Sequence, residues 1–190
     1  ASAVVLAAGA TLEHARAALE RAAPVRGRME RVDEGQPFSV IVDYAHTPGS
    51  FEKVLALLRP LTPGRLIAVF GSAGERDRAK RPKLAEVASR YADLFVITQE
   101  DPRWEDPAAI LSEIEAGAVA AGKERDRDYL VIGDRREAIG AAIDRAADAG
   151  DTVVLAGKGH EASIIVGEER RPWDEAAAAR AALRTRGYGA

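Results

Sequence analysis

The sequence contains no cysteine, and neither sign of charge dominates it. The absence of cysteine excludes disulfide bonds, zinc sites built on thiolates and a cysteine nucleophile. No apolar run approaches the roughly 20 residues that a membrane-spanning helix needs. Lys and Arg number 27 against 30 Asp and Glu, for a net charge of -3, so the basic stripe typical of nucleic-acid binding is missing. We therefore expect a cytoplasmic protein with neither membrane nor nucleic acid as a partner.

Short β-rich runs alternate with helical patterns from about residue 35 onward, which predicts an α/β fold with a mostly parallel sheet flanked by helices. Two apolar runs, 66–70 and 153–156, do not alternate in polarity and are typical of central strands buried on both faces. The predicted strands are 38–43, 65–71, 94–98, 129–132 and 152–156, with a hairpin, the one antiparallel element, near 163–170. The predicted helices are 48–58, 81–91, 107–119, 135–147 and 173–183, preceded by helical segments over 1–10 and 11–23.

Ligands of parallel sheets bind beyond the carboxyl ends of the strands, so the segment after each strand is a candidate site. The first strand is followed by a carboxylate, a phenol and an imidazole in Asp43-Tyr44-Ala45-His46-Thr47-Pro48. A plain helix start, capped by Thr47 with Pro48 in the first turn, explains this segment equally well. The second strand is followed by 71–81, where glycines and cations including Arg76 suit an anionic ligand or form a solvated loop.

Two further segments carry chemistry. Glu100-Asp101-Pro102-Arg103 follows the third strand, and two carboxylates beside a guanidinium suit a zwitterion such as an amino acid, although a charged turn fits as well. Gly157-Lys158-Gly159-His160-Glu161-Ala162 follows the last parallel strand and matches G-x-G-x-x-A, the dinucleotide-binding pattern. A predicted strand, not a helix, comes next, which argues against a dehydrogenase. The phosphate-loop pattern G-x-x-x-x-G-K-[ST] is absent from the sequence.

Five motifs in this order resemble the Mur ligases. They are Gly27-Arg28-Met29-Glu30, Asp43 to Pro48, Gly71-x-x-Gly74-x-Arg76-Asp77-x-x-Lys80-Arg81-Pro82, Asp101-Pro102-Arg103 and Gly157 to Glu161. The resemblance implies a Rossmann-like Mur ligase C-terminal domain over 35–190, a linker over 25–34 and a helical stub of the central ATPase domain over 1–24. Within the family, the motifs are most similar to the ligases that add a diamino acid to UDP-N-acetylmuramoyl-L-alanyl-D-glutamate in peptidoglycan synthesis.

The resemblance also implies what the chain contributes to such a ligase. The full-length enzyme uses ATP and Mg2+, and its partners are the UDP-linked dipeptide, ATP, a diamino acid and the missing N-terminal and central domains. This fragment alone is expected to be inactive and to hold no cofactor, metal or catalytic residue. The implied diamino-acid ligands are Arg76, Glu100, Asp101, Pro102, Arg103, Gly157 and Glu161. The implied nucleotide ligands are Arg28, Asp43 and His46.

Two other functions remain open, a free-standing Rossmann-like ligand-binding module and a ligase domain similar to folylpolyglutamate synthetase. One departure from the family pattern bears on the substrate. Asp101 stands where the meso-diaminopimelate enzymes carry a neutral Asn. A negative charge there is expected to repel a distal carboxylate and attract an ammonium, which favours L-lysine or L-ornithine over meso-diaminopimelate.

Overall fold

The computed structural model describes residues 2–22, 25–146 and 148–189. A six-stranded sheet in the order β1-β2-β6-β3-β4-β5 forms its centre, and every neighbouring pair is parallel except β1 and β2. The strands are β1 Glu30–Val32, β2 Ser39–Asp43, β3 Leu66–Phe70, β4 Leu94–Ile97, β5 Tyr129–Val131 and β6 Thr152–Ala156. The predicted α/β class with a mostly parallel sheet is confirmed.

The last sequential strand of the sheet, β6, lies between β2 and β3. Thr152 is in register with Ser39 on one side and with Leu66 on the other. All five residues of β6 are buried. Because neighbouring side chains alternate between the two faces, a strand with helices on both sides is apolar throughout. The parallel register also places the carboxyl ends of β2, β3, β4 and β6 at one edge of the sheet.

Helices cover both faces and enclose two hydrophobic clusters. On one face α6 and α7 pack over β6 residues such as Val153 and Leu155. On the other face α3, α4 and α5 pack over Val154 and Ala156. The helices are α1 Ser2–Ala7, α2 Leu12–Glu20, α3 Pro48–Leu58, α4 Lys80–Tyr91, α5 Pro107–Ala120, α6 Arg135–Arg145 and α7 Glu175–Arg184. The predicted hairpin is confirmed as β7 Ser163–Val166 paired antiparallel with β8 Glu169–Pro172.

The sheet begins earlier than the sequence predicts. Residues 25–34 were interpreted as a linker, yet Glu30–Val32 pair antiparallel with β2 as an edge strand. Only Val32 of these three residues is buried, so the segment lacks the alternating pattern that signals a strand. Helix α6 ends at Arg145, before the predicted end at residue 147, which lies outside the described residues.

The N-terminal segment is helical, as predicted. Thr11 caps α2 and accepts a hydrogen bond from the backbone N–H of His14. Large apolar side chains of this segment face solvent, with Val4 73% and Leu12 72% exposed. The predicted helix end at residues 23 and 24 lies outside the described residues. In the part of the chain that the structure describes, no helix is long and apolar enough to cross a bilayer.

Candidate functional site

A cleft of about 430 Å³ opens at the carboxyl edge of the sheet. Strand ends place six of the ten predicted site residues in its wall, which are His46, Arg76, Glu100, Asp101, Arg103 and Glu161. The other lining residues are Tyr44, Thr47, Pro48, Ala73, Asp77 and Lys80. The remaining four predicted residues, Arg28, Asp43, Pro102 and Gly157, lie outside the wall. The structure thus brings together segments that are widely separated in the sequence.

Asp101 in this wall is not an isolated charge. Its Oδ1 lies 2.8 Å from Nζ of Lys158 and also accepts the backbone N–H of Ile165 at 3.0 Å. The Lys158 side chain is fully buried and the Asp101 side chain is only 8% exposed. The preference for lysine or ornithine was derived from Asp101 as an unpaired charge facing the ligand. Because Lys158 offsets part of that charge, the structure weakens that argument, and the preference itself stays a prediction.

Glu161 belongs to the same charge cluster. Its Oε2 lies 2.7 Å from Nζ of Lys158, and its Oε1 accepts the hydroxyl of Tyr44 at 3.2 Å. Burial and the nearby Glu161 carboxylate raise the pKa of the Tyr44 phenol above its usual value. Tyr44 is therefore protonated at neutral pH and donates to Glu161.

Glu100 differs from Asp101 and Glu161 because a buried oxygen of its carboxylate makes no hydrogen bond to the described residues. The residue is buried, and among the described residues its Oε2 has no hydrogen-bond partner. Burial raises the pKa of its carboxyl, while the charges of Lys80, Arg135 and Lys158 oppose the shift. Gly157 lies directly against this oxygen: a Cβ there would stand 3.0 Å from Oε2, and its φ of 107° favours glycine. Glu100 thus offers the cleft a buried acceptor.

Two arginines of the cleft have guanidinium N–H donors that make no hydrogen bond to the described residues. Arg76 is exposed, and within the described ranges its guanidinium has no hydrogen bond or ion pair. Arg103 holds a left-handed φ of 55°, and its buried Nε has no partner in the described part of the chain. Its backbone is fixed by the hairpin, because its N–H donates to the carbonyl of Ile165 at 3.0 Å. These cations suit a ligand carboxylate.

The loop that carries Arg76 is anchored by Arg81, which the sequence analysis did not assign. The Arg81 side chain is fully buried and pairs with Glu105 at 2.9 Å and Glu113 at 2.8 Å. It also donates to the carbonyl of Ala73 at 3.3 Å. Hydrogen bonds from Arg81 and from the backbone lower the pKa of Glu105 to about 2. Arg81 therefore holds the loop to α5 and to the segment before it.

The predicted nucleotide residues gather around Tyr44. The guanidinium of Arg28 lies 4.7 Å from the Tyr44 ring centre, and the rings of His46 and His160 lie at 4.6 and 4.7 Å. The carboxylate of Asp43 accepts backbone N–H groups on both sides, from Met29 at 2.8 Å and from Ala45 at 2.9 Å. This cluster adjoins the cleft, whose wall includes Tyr44 and His46, and the role of its residues in nucleotide binding stays a prediction.

The strand ends under the cleft are tied together by Arg135. It is buried, donates to Ala156 O at 2.8 Å and Gln99 O at 3.2 Å, and pairs with the buried Glu175 at 2.6 Å. Sequence reasoning missed Arg135, Tyr44, Lys80, Lys158 and His160. Four of these, all but Arg135, stand inside the motifs that were singled out, so motif membership was the available signal. Among the described residues, no cluster of His, Asp and Glu could hold a metal ion.

Comparisons with known proteins point to one family. A sequence profile described as "Mur ligase, glutamate ligase domain" matches residues 27–159. A UDP-N-acetylmuramyl-tripeptide synthetase of Roseiflexus sp. (strain RS-1) is 60% identical over 186 residues, which are 98% of this chain and 36% of that protein. A UDP-N-acetylmuramoyl-L-alanyl-D-glutamate--2,6-diaminopimelate ligase of Geobacillus thermodenitrificans (strain NG80-2) is 49% identical, over 98% of this chain and 37% of its own.

Comparison with solved structures finds the same fold in ligases. A UDP-N-acetylmuramoyl-L-alanyl-D-glutamate--2,6-diaminopimelate ligase superposes with a TM-score of 0.78 at 34% identity, over 97% of this chain and 37% of that one. A bifunctional folylpolyglutamate synthase/dihydrofolate synthase from Yersinia pestis has a TM-score of 0.54 at 22% identity, over 72% of this chain and 29% of its own, which shows a shared fold alone. The chain spans a little over a third of the length of the curated relatives above.

Proposed function

The chain belongs to the Mur ligase family, and we propose that it is the C-terminal, amino-acid-binding domain of a ligase that adds a diamino acid to UDP-N-acetylmuramoyl-L-alanyl-D-glutamate. The observation that carries the proposal is the cleft at the strand ends. Two guanidinium groups and one buried carboxylate there have donors or acceptors without a partner among the described residues. A zwitterionic amino acid complements both, since its carboxylate pairs with guanidinium and its ammonium with carboxylate.

The contribution of such a domain is the orientation of the nucleophile. An amine joins an activated carboxyl group quickly only when it is held within a few ångströms of it in the correct direction. Arg76 and Arg103 would hold carboxylate, and Glu100 and Glu161 would hold ammonium. Pro102 and Gly157 act through shape, since Pro102 lies against Gly74 and Gly157 lies against Glu100. We infer that these residues bind and orient the amino acid.

ATP and Mg2+ are assigned to the longer ligase. The sequence lacks a phosphate loop, and the described residues hold no cluster suited to a metal ion, so they do not fit Mg2+. We place the approach of the nucleotide at the surface around Tyr44, with Arg28, Asp43 and His46 at its edge. Both oxygens of Asp43 already accept backbone N–H groups, so its contact with a nucleotide uses the lone pairs that remain.

The division of the chain is part of the proposal. We assign 1–24 to the end of a preceding ATPase domain, and 35–190 to the C-terminal domain. The connecting stretch 25–34 then includes the edge strand β1. Exposed apolar side chains in α1 and α2, such as Val4 and Leu12, support the assignment of these helices to the preceding domain.

Phosphate release by the full-length ligase, measured with UDP-N-acetylmuramoyl-L-alanyl-D-glutamate and a diamino acid, tests the proposal. Arg76→Ala should raise the KM for the diamino acid by about 10- to 100-fold with little change for ATP, because a charged hydrogen bond contributes roughly 1.5–3 kcal/mol. Arg78→Ala is the matched control, since Arg78 is exposed and pairs with Glu113 outside the cleft. Equal effects of Arg76→Ala on both substrates would contradict its assignment to amino-acid binding.

A further inference from the structure

Lys158 is a buried charge that does not line the cleft but contacts two residues that do, Asp101 and Glu161. Its side chain has no exposed surface and its ammonium lies between two carboxylates, Asp101 at 2.8 Å and Glu161 at 2.7 Å. A buried ammonium is strongly disfavoured unless it is paired, and each carboxylate near it is disfavoured without it. The three groups therefore act as one electrostatic unit with a net charge of -1.

The unit also fixes the backbone that presents Arg103. Asp101 accepts the N–H of Ile165, the N–H of Arg103 donates to the carbonyl of Ile165, and the N–H of Gly167 donates to the carbonyl of Arg103. The loop and the hairpin β7–β8 are thus joined next to the Asp101–Lys158 pair. A change in the charge of this pair acts directly beside Arg103.

We propose that Lys158 is a specificity-determining residue: by compensating Asp101 it sets how strongly the cleft discriminates between diamino acids that end in a carboxylate and those that end in an ammonium. The inference rests on the proposed function. Without Lys158, the charge of Asp101 would be left uncompensated within the cleft wall. It would repel a distal carboxylate, compete with it for Arg103, and attract a distal ammonium.

Other charges around the cluster do not replace Lys158. Glu100 lies nearby and is itself an acid. The Lys80 ammonium donates a hydrogen bond to the carbonyl of His46 at 3.0 Å. Arg135 is held by Glu175 and two backbone carbonyls. Lys158 is the cation in direct contact with Asp101 among the described residues, so its removal should not be compensated by a small rearrangement.

The test is the ratio of kcat/KM for L-lysine to that for meso-diaminopimelate in the full-length ligase. Lys158→Met should shift the ratio toward L-lysine by about tenfold or more, since a lost charged contact corresponds to at least that factor. Asp101→Asn should shift it toward meso-diaminopimelate. The double variant Lys158→Met/Asp101→Asn, which removes both charges, should return the ratio toward that of the unmodified enzyme, and the KM for ATP should change little throughout.

A purely structural role for Lys158 predicts a different pattern. Lys158→Met would then lower kcat/KM for both amino acids equally and raise the KM for ATP as well. Adding Asp101→Asn to it would not change the ratio. That pattern, or an unchanged ratio, overturns the inference. Circular dichroism of each variant checks its folding, and Asp101→Asn alone still decides the matter if Lys158→Met does not fold, because a ratio that stays fixed or moves toward L-lysine overturns the inference. No turnover of any diamino acid by the unmodified enzyme would instead overturn the proposed function, and the inference with it.

Discussion

Replacing Glu175 with glutamine should destabilise the domain by about 3 kcal/mol, because it leaves the buried guanidinium of Arg135 without a counter-ion. The two side chains are at most 1% exposed and their closest atoms are 2.6 Å apart. Trp173 adds a third partner, since its indole N–H donates to the same carboxylate at 2.6 Å. Burial removes the water that would otherwise solvate an unpaired charge.

The magnitude follows from what glutamine keeps and what it loses. Breaking a buried ion pair by removing one partner costs roughly 3–5 kcal/mol. Glutamine preserves the volume and one acceptor oxygen, which places the expected cost at the lower end. It also turns an NH2 group toward donors of Arg135 or Trp173. For a domain of this size, about 3 kcal/mol corresponds to a fall in Tm of roughly 6–12 °C.

Urea unfolding of the chain, followed by circular dichroism and by tryptophan fluorescence, measures this effect. Glu169→Gln is the matched control, because its ion pair with Arg171 leaves both side chains more than half exposed and should contribute less than about 0.5 kcal/mol. The double variant Arg135→Met/Glu175→Leu should recover most of the loss, since it removes both charges. A loss below about 1 kcal/mol for Glu175→Gln would refute the reasoning.

Two further predictions concern packing and pH. Gly117→Ala should destabilise the chain by at least about 2 kcal/mol in urea unfolding, because a Cβ there overlaps the carbonyl of Pro82. Gly49 lies in a helix with open space around it, so Gly49→Ala should instead stabilise the chain by about 0.5–1 kcal/mol. Equal changes in the free energy of unfolding for the two variants would contradict this. Burial and Glu115 raise the pKa of Tyr129 from 10.0 to about 12, so the stability from its neutral phenol is fully present below pH 10 and lost as pH rises through about 12. Phenolate absorbance measures this pKa, and a value near 10 would be contrary to it.

The parallel sheet could be predicted because its signal is local. Runs such as 66–70 and 153–156 are apolar at every position, and only a strand with cover on both faces needs that composition. Strand β1 could not be predicted, since it is three residues long and pairs along one edge only. Its position depends on the register of β2, which no feature of 30–32 encodes.

The contents of the cleft could be predicted in part for a similar reason. Segments at strand ends converge wherever strands are parallel, so Arg76, Glu100 and Glu161 were expected to share one edge. The partners of these residues were not expected. Lys158 and Asp101 are 57 positions apart, and Arg135 and Glu175 are 40 apart, so each contact depends on the tertiary fold.

The case of Asp101 shows how such pairing changes a functional argument. A carboxylate in a binding loop, taken alone, predicts attraction of an ammonium by Coulomb's law. The same carboxylate in contact with a buried lysine has part of its field offset, and the preference it implies weakens accordingly. What acts on a ligand is the charge that its neighbours leave uncompensated, together with the buried atoms that lack a partner. By that criterion Arg103 and Glu100 present more to an amino acid than Asp101 does, and selectivity depends on the pair that Asp101 forms with Lys158.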